Sequence, residues 1–181
     1  MAPTSADPGT SPEAARLAIL ELVAGYGVLL DAGFGEFADP GWADKFGALW
    51  ATDASFATYP DLAVNSSMPI HGREDIVNAF ANILRDFPHP HFVRHFATNT
   101  YVDELDAAGG TARARSGLIA AGVLSMSELR VHRTGLYFDW FRIEDGRWRF
   151  ARRDLVYDGL EGPAAPPPEN WFETFPEKRR K

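Results

Sequence analysis

Asp31 and His95 are the residues whose types and expected positions best suit acid–base chemistry. Asp31 lies near the end of the first predicted helix, in a stripe whose other members are Leu17, Leu20 and Ala24. A carboxylate on an apolar surface is costly unless it is paired. His95 lies on the first long predicted strand, and a histidine oriented by a carboxylate can act as a general base. If the two side chains meet in an apolar pocket, they could abstract a proton next to a carbonyl or a leaving group.

The strand position of His95 decides whether this pair can form. Alternation places His95 on one sheet face together with Val93, Ala97 and Asn99. If that face is concave, the imidazole can reach Asp31. The alternative is structural: Asp31 solvates the helix end, and His95 is a hydrogen-bonded core histidine.

A metal site is a second interpretation, because His89, His91 and His95 form an H-x-H-x-x-x-H pattern. Zinc and iron both accept histidine ligands. However, Pro88 and Pro90 place the first two histidines in a turn, and no carboxylate motif nearby completes a facial triad. The sequence therefore favours a site with no metal and no other cofactor.

Arginines in the predicted strands indicate a third kind of site, one for an anion. Arg113 and Arg115 share a strand face, as do Arg149 and Arg153. One arginine inside a pocket would hold a carboxylate or a phosphate. Arg152 and Arg153 have opposite parity, so only one of them can point inward.

Composition excludes or disfavours several function classes. The chain of 181 residues has no cysteine, which rules out disulfides, thiol nucleophiles and cysteine-based zinc sites. Its formal net charge of −7 argues against nucleic acid as the main partner, because that binding depends on basic contacts to phosphate. No segment has the pattern of a signal peptide or a membrane span, so we expect a cytoplasmic protein without a membrane partner. A glycine-rich phosphate loop and a G-x-S-x-G element are also missing from the sequence.

Three helices are predicted in the first half of the chain. Ser11 followed by Pro12 is typical of a helix start, and Gly33 of its end. The spacing of apolar residues predicts the buried face of this helix: Ile19, Leu22, Val23, Tyr26 and Leu30. A short second helix is predicted over residues 42–50. A third is expected after Gly72, and its predicted buried face holds Ile76, Phe80, Ile83, Leu84 and Phe87.

After Pro90 the hydrophobic period changes to two. Four long strands are predicted over residues 92–103, 111–125, 129–143 and 147–157, after an earlier short strand over 55–60. Hairpin-type turns are expected at residues 108–110 and 144–146. Helices followed by an antiparallel meander predict an α+β domain, with the helices on one face of a curved sheet.

A single domain is predicted over residues 11–159. Residues 1–10 are rich in Pro, Ser, Gly and Asp and are expected to be disordered. Residues 160–181 form a proline- and aromatic-rich tail that ends in the basic run Lys178 to Lys181. We expect the aromatic residues of this tail to dock, either as a lid or as a dimer arm.

Five segments resemble motifs of the SnoaL-like branch of the NTF2-like superfamily. They are the Y-x4-D of the first helix (Tyr26 to Asp31), the glycine-led start of the third helix (Ile70 to Ile76), the R-H-x-x-T-N strand (Arg94 to Asn99), and the two halves of a G-x-Y-x-D and D-G-x-W hairpin (Gly135 to Asp139, Asp145 to Phe150). The likeness covers residues 13–157 in order. It implies a cone-shaped fold, in which three N-terminal helices pack in a strongly curved antiparallel or mixed sheet around one small-molecule pocket.

The resemblance also implies roles for individual residues. Scytalone dehydratase, bile-acid dehydratase and hexachlorocyclohexane dehydrochlorinase are similar in using a helix-1 aspartate and a strand histidine, the motif positions of Asp31 and His95. Tyr26 stands where related dehydratases place a pocket tyrosine, and Arg153 where some relatives place a pocket arginine. This implies a cofactor-independent lyase or isomerase for a small apolar or polycyclic molecule. His95 would be the base, Asp31 its partner, and Tyr26 or Tyr59 the electrophilic donor.

Further residues are predicted to contact the substrate, and two other functions stay open. The predicted substrate contacts are Trp50, Phe56, Tyr59, Asn99, Tyr137 and Arg153. Proteins of this fold also serve as non-catalytic binding or assembly modules, such as the small subunit of ring-hydroxylating dioxygenases, and as polyketide-type cyclases. The exposed face of the sheet is expected to pair with further copies in a homodimer or homotrimer.

Overall fold

Three helices and six strands make up the described part of the chain. The computed structural model describes residues 11–33, 40–59, 67–85, 93–125 and 128–158. The helices are α1 (Pro12–Asp31), α2 (Trp42–Gly47) and α3 (Arg73–Arg85). The strands are β1 (Trp50–Tyr59), β2 (Ser67–His71), β3 (Val93–Asp106), β4 (Thr111–Ser125), β5 (Glu128–Glu144) and β6 (Arg147–Tyr157). The predicted disordered start and the predicted tail lie outside the described residues.

The six strands form one mixed sheet in the order β2-β1-β6-β5-β4-β3. β1 and β6 run parallel, whereas the other neighbouring strands are antiparallel. The predicted α+β class with a mixed sheet is therefore confirmed. α1 packs against β3 and β6, which are separated by β4 and β5. The sheet thus curls around α1 and leaves space above its middle strands.

α1 starts at the predicted residue and buries the predicted face. The hydroxyl of Ser11 accepts a hydrogen bond from the backbone N–H of Ala14 at 3.1 Å, which caps the helix. The buried face includes Ile19, Val23, Tyr26 and Leu30. The second apolar stripe that the sequence shows on this helix is exposed: Leu17, Leu20 and Ala24. A helix packed on one side of a sheet buries only one stripe of its surface.

The region after α1 differs from its prediction. α2 ends at Gly47, so Trp50 begins β1 instead of completing a helix. Trp50 pairs with Phe150 of β6, and this parallel pairing extends β1 at its start. β2 was not predicted; its residue Ile70 pairs with Phe56 of β1. Both differences arise from pairing between strands, which a local pattern does not reveal.

An aromatic cluster holds Tyr26 in place beneath the helices. The centroid of its ring lies 5.7 to 6.3 Å from those of five other aromatic rings: Phe46, Trp50, Phe80, Tyr137 and Phe150. Each such pair contributes about 0.5–1.5 kcal/mol beyond the burial of its surface. The orientation of the Tyr26 ring is therefore fixed by its neighbours.

The β5–β6 hairpin is tied to the rest of the fold through Glu144. Its turn has positive φ angles of 53° at Asp145 and 71° at Gly146, as expected for an Asp-Gly hairpin turn. The Glu144 carboxylate accepts hydrogen bonds from Arg73 at 2.6 Å, from Arg142 at 2.8 Å and from the N–H of Thr52 at 3.0 Å. The hydrogen bond from Arg142, supported by those from Thr52, lowers the pKa of Glu144 to about 2. One carboxylate thereby joins the closing hairpin to β1 and α3.

Candidate active site

A cavity of about 610 Å³ lies between α1, α3 and the inner face of the sheet. Its wall is mostly apolar and aromatic, and its size is typical of pockets that take a small molecule. The residues lining it are Tyr26, Leu30, Phe56, Thr58, Ile70, Phe80, Ile83, Leu84, Val93, His95, Leu118, Ala120, Arg133, Tyr137, Leu155 and Tyr157. Ile83 and Arg133 are exposed to solvent as well as lining the cavity, so they mark its rim.

Asp31 and His95 are in direct contact at the cavity wall. Nδ1 of His95 lies 2.7 Å from a carboxylate oxygen of Asp31. The backbone N–H of His95 also donates to both oxygens of that carboxylate, at 3.1 and 3.2 Å. The two side chains keep only 18% and 13% of their surface exposed, for His95 and Asp31 respectively. The same carboxylate therefore holds both the ring and the backbone of His95.

The C-terminal half of α1 lies against the edge of β3 at His95. In an antiparallel strand the N–H and C=O of one residue point to the same side. Both groups of His95 face α1: Asp31 accepts from the N–H, and Gly27 lies against the C=O. A β-carbon placed on Gly27 would stand 2.6 Å from the carbonyl oxygen of His95. Gly27 and Asp31 are one helical turn apart, so glycine permits the close approach that the aspartate uses.

This contact defines the protonation pattern that suits a general base. Because a carboxylate only accepts hydrogen bonds, the neutral imidazole carries its proton on Nδ1 and its lone pair on Nε2. The carboxylate also stabilises the imidazolium that forms when Nε2 takes a proton. The pair thus has the orientation that proton abstraction requires.

Tyr26 and Tyr137 form the floor of the cavity. Their side chains are hydrogen-bonded to each other, and each is almost wholly buried. Burial raises the pKa of Tyr26, and the neighbouring Arg153 guanidinium only partly opposes this rise. Burial likewise raises the pKa of Tyr137 well above its usual value. Both phenols therefore stay protonated and can donate hydrogen bonds, but they cannot act as bases near neutral pH.

Arg153 lies behind this floor and is bound to Asp139. The guanidinium is fully buried and makes two parallel hydrogen bonds to the Asp139 carboxylate, at 2.7 and 2.9 Å. Its carbon lies 4.1 Å from the ring centroids of both Tyr26 and Tyr137. Burial opposes the positive charge, but the Asp139 carboxylate outweighs it and raises the pKa of Arg153. Arg153 is the inward member of the 152/153 pair, since Arg152 stacks on Trp140 on the other face. It does not line the cavity, however, so the structure does not support Arg153 as a direct substrate contact.

Three further predicted substrate contacts do not line the cavity. Trp50 is fully buried in the aromatic cluster, beneath the wall. Tyr59 lies on the opposite sheet face, where its hydroxyl donates to Asp154 at 3.3 Å. Asn99 is exposed at a bulge, with a φ of 53°, so the alternation that begins at His95 is interrupted before it. The remaining predicted contacts, Phe56 and Tyr137, do line the cavity together with Tyr26 and His95.

Arg133, Thr58 and Tyr157 line the cavity but were not predicted. A signal was present for Arg133, because it precedes the predicted wall residue Tyr137 by four positions on one strand and so shares its face. Thr58 precedes the mispredicted Tyr59, and the inward positions of β1 are Phe56 and Thr58.

The described residues limit the alternative interpretations. In the described ranges no three His, Asp or Glu side chains are arranged to hold a metal ion. His89 and His91 lie outside those ranges. None of the described helices has the length and apolar character needed to cross a membrane. Of the other arginines considered for an anion site, Arg115 pairs with Asp103 at 2.5 Å and Arg149 donates to the carbonyl of Ala48.

Comparison with known proteins identifies relatives at the level of family and fold. A model of the SnoaL-like domain matches residues 13–154. No curated protein sequence gives a significant match. An NTF2-like protein with a cystatin-like fold from Novosphingobium aromaticivorans is 25% identical, with 82% of this chain and 84% of that chain covered and a TM-score of 0.60.

Two other solved structures from the same organism share the fold at lower identity. A provisionally assigned scytalone dehydratase is 21% identical, with 83% of this chain and 91% of that chain covered and a TM-score of 0.60. The beta subunit of a provisionally assigned aromatic-ring-hydroxylating dioxygenase is 19% identical, with coverage of 82% and 92% and a TM-score of 0.63. The NTF2-like fold is thus common to proteins described in very different functional terms.

Proposed function

Because the chain belongs to the SnoaL-like domain family, we propose that it is a cofactor-independent lyase or isomerase for a small apolar or polycyclic molecule. One observation carries the proposal: the His95 ring lines an apolar cavity while its Nδ1 lies 2.7 Å from the Asp31 carboxylate. A histidine whose ring is oriented by a carboxylate, with little of either side chain exposed, is the arrangement that a general base needs.

In the proposed reaction, Nε2 of His95 removes a proton from a carbon next to a carbonyl group. The C–H electron pair forms a double bond between this carbon and the carbonyl carbon, and the carbonyl oxygen takes up the negative charge of the resulting enolate. A lyase then expels a leaving group from the β-carbon, and the imidazolium returns its proton to that group. An isomerase returns the proton to another carbon instead. Asp31 stabilises the imidazolium in both cases.

The developing enolate oxygen needs a hydrogen-bond donor, and in the proposal the Tyr26–Tyr137 pair supplies it: one hydroxyl donates to its partner and the other donates to the enolate. Both line the cavity and both remain protonated, because burial raises their pKa values. Donors fixed by packing stabilise developing charge without reorganisation during the reaction. Tyr59, the other tyrosine predicted as a donor, is not part of the proposal because it lies on the opposite face of the sheet.

Proton exchange tests the proposal without requiring the natural substrate. Polycyclic ketones with acidic α-protons would be incubated in D2O with the parent protein, with His95→Ala and with His71→Ala. His71 is an exposed histidine on β2 and is the matched control. We expect the parent and the control to exchange α-protons faster than buffer, and His95→Ala to lose at least a hundredfold of that acceleration, as is typical for removal of a general base. Equal exchange by His95→Ala and the parent would overturn the assignment.

We also propose that the outer face of the sheet pairs with a second copy. Phe96 and Ile119 are neighbours across β3 and β4 on this face, and they are 49% and 37% exposed. Adjacent exposed apolar side chains are typical of association surfaces. Phe96→Glu should lower the mass measured by light scattering, whereas Leu17→Glu on the exposed side of α1 should not. A monomeric parent protein would contradict this part of the proposal.

A further inference from the structure

Arg133 is a cation at the rim of the cavity without a carboxylate partner among the described residues. Its guanidinium carbon lies 5.0 Å from the ring centroid of Tyr157, and both residues line the cavity. This contact with an aromatic face orients the side chain but leaves its charge uncompensated. Arg153 differs in that Asp139 neutralises it behind the floor.

The strand register places Arg133 on the same row of the sheet as His95. Ala120 of β4 pairs with His95 on one side and with Arg133 on the other. Neighbouring strands are about 4.8 Å apart, so the backbones of Arg133 and His95 are separated by roughly 10 Å across the sheet. A register shift between Ala120 and Ala121 pairs Val131 with Ala121, which puts Val131 on the outer face and Arg133 on the inner face.

Among the described residues that line the cavity the permanent charge is positive, while the Asp31 carboxylate lies behind His95 and is taken up by it. The described residues that line it include no aspartate or glutamate, and Arg133 is the permanently charged member of the wall. Water at the exposed rim screens part of the attraction of this guanidinium for an anion, and the apolar wall beside it reduces that screening. A guanidinium also matches the geometry of carboxylate and sulfonate oxygens.

We infer that Arg133 selects an amphipathic anion: a molecule whose apolar body fills the cavity and whose carboxylate or sulfonate is bound by Arg133 at the rim. This inference rests on the proposed function only in one respect, namely that the reacting carbon then lies beside His95 while the anionic group lies at the rim with Arg133. The selection of an anion follows from the cavity and its charge alone.

A pair of probes that differ in charge tests this selection. 8-Anilino-1-naphthalenesulfonate and N-phenyl-1-naphthylamine share an aromatic body, but only the first carries a sulfonate. Their dissociation constants would be measured by fluorescence titration for the parent, Arg133→Gln and Arg147→Gln. Arg147 is an exposed arginine at the start of β6, ten residues before Tyr157 and so roughly 30 Å away along the strand.

We expect Arg133→Gln to raise the dissociation constant of the sulfonate probe about tenfold, in keeping with loss of one charge-assisted hydrogen bond. The neutral probe should bind Arg133→Gln and the parent equally, and Arg147→Gln should match the parent with both probes. Unchanged sulfonate binding in Arg133→Gln would overturn the inference, as would an equal loss for the neutral probe. The inference would also be overturned if the parent protein bound neither of the two probes.

The inference and the proposed function fail in different experiments. If His95→Ala keeps the charge selectivity between the two probes and the exchange assay shows no effect of His95, anion selection stands and the catalytic assignment falls. If proton exchange depends on His95 but Arg133→Gln binds the sulfonate probe as tightly as the parent does, the catalytic assignment stands and anion selection by Arg133 falls.

Discussion

The backbone of Gly27 lies directly against the carbonyl group of His95, so that a β-carbon at Gly27 would stand only 2.6 Å from that oxygen. Asp31, one turn later in α1, accepts a hydrogen bond from the N–H of the same histidine. The helix therefore contacts both backbone polar groups of His95, and the ring position depends on how closely α1 approaches β3.

Replacing Gly27 by alanine should push α1 away from β3. Glycine to alanine within a helix ordinarily stabilises by up to about 1 kcal/mol. At Gly27 the new methyl group meets backbone, which cannot rotate away, so we expect a loss of about 1–3 kcal/mol of unfolding free energy. Urea unfolding measures the loss. In proton NMR spectra, the resonance of the Nδ1–H of His95 should also become weaker, because the contact of this group with Asp31 lengthens.

Gly25 is the matched control for this variant. It lies in the same helix, and a β-carbon there would meet nothing within 4 Å. Gly25→Ala should keep or raise stability and should leave the His95 signal unchanged. If Gly25→Ala and Gly27→Ala behave alike, the close approach of α1 to β3 does not position His95.

Asp31→Asn should weaken the base while preserving the fold. One oxygen of Asp31 contacts both the N–H and Nδ1 of His95, so an amide oxygen in its place can accept from both groups. The amide lacks the negative charge that stabilises the imidazolium, so we expect α-proton exchange in D2O to fall by about tenfold, the difference between a charged and a neutral acceptor. His71→Ala, at an exposed histidine, should exchange like the parent. Exchange by Asp31→Asn at the parent rate would contradict the proposed role of the carboxylate.

Asp139→Asn should be strongly destabilising. It leaves the fully buried Arg153 guanidinium without its countercharge, and breaking a buried pair in this way costs about 3–5 kcal/mol. The double variant Arg153→Met with Asp139→Leu removes both charges and should recover most of the loss. Urea unfolding of the three proteins checks this prediction. A double variant as unstable as Asp139→Asn would show that packing, not the unpaired charge, sets the cost.

The contribution of Glu144 should depend on pH. Its pKa falls from the ordinary 4.5 to about 2 in the folded protein, chiefly through the hydrogen bond from Arg142. Because the folded state holds the ionised form, the stabilisation is fully present above about pH 4.5 and is lost as the pH falls through about 2. Glu144→Gln lacks this stabilisation.

Unfolding midpoints at pH 7, 4 and 2.5 check the dependence on Glu144. The difference in unfolding midpoint between the parent and Glu144→Gln should be largest at pH 7 and should become smaller as the pH is lowered. Glu21→Gln, at an exposed position of α1, should show no such trend. A gap of the same size at each pH would rule out the ionised carboxylate as its source.

Strong local periodicity made most of the fold predictable. The four long strands and the Asp145-Gly146 turn follow from alternation and turn chemistry, and Ser11 and Pro12 mark the start of α1. The short β2 and the early start of β1 at Trp50 were missed. Both depend on pairing with strands that are distant in sequence.

The candidate site was predictable only where alternation is regular. His95 and Tyr137 lie in uninterrupted stretches of strand and face the cavity as expected. Asn99 was misplaced because it lies in a bulge of β3, and Tyr59 because it is three positions from the inward-facing Phe56 and so points to the opposite face. Arg153 has the predicted parity, but its carboxylate partner holds it behind the floor.

Residue types and their periodicity were enough to identify the chemistry available to this chain: one carboxylate on a helix, one imidazole on a strand and a set of tyrosines and arginines. Whether those groups meet depended on distances between segments that are far apart in sequence. The 2.7 Å contact of Asp31 with His95 spans 64 positions and requires the curl of the sheet and the close approach at Gly27. Likewise, the position of Asp139 in the fold compensates the charge of Arg153 behind the floor. Arg133 has no such carboxylate beside it among the described residues that line the cavity. Such choices are made by packing and strand register, which short-range patterns do not encode.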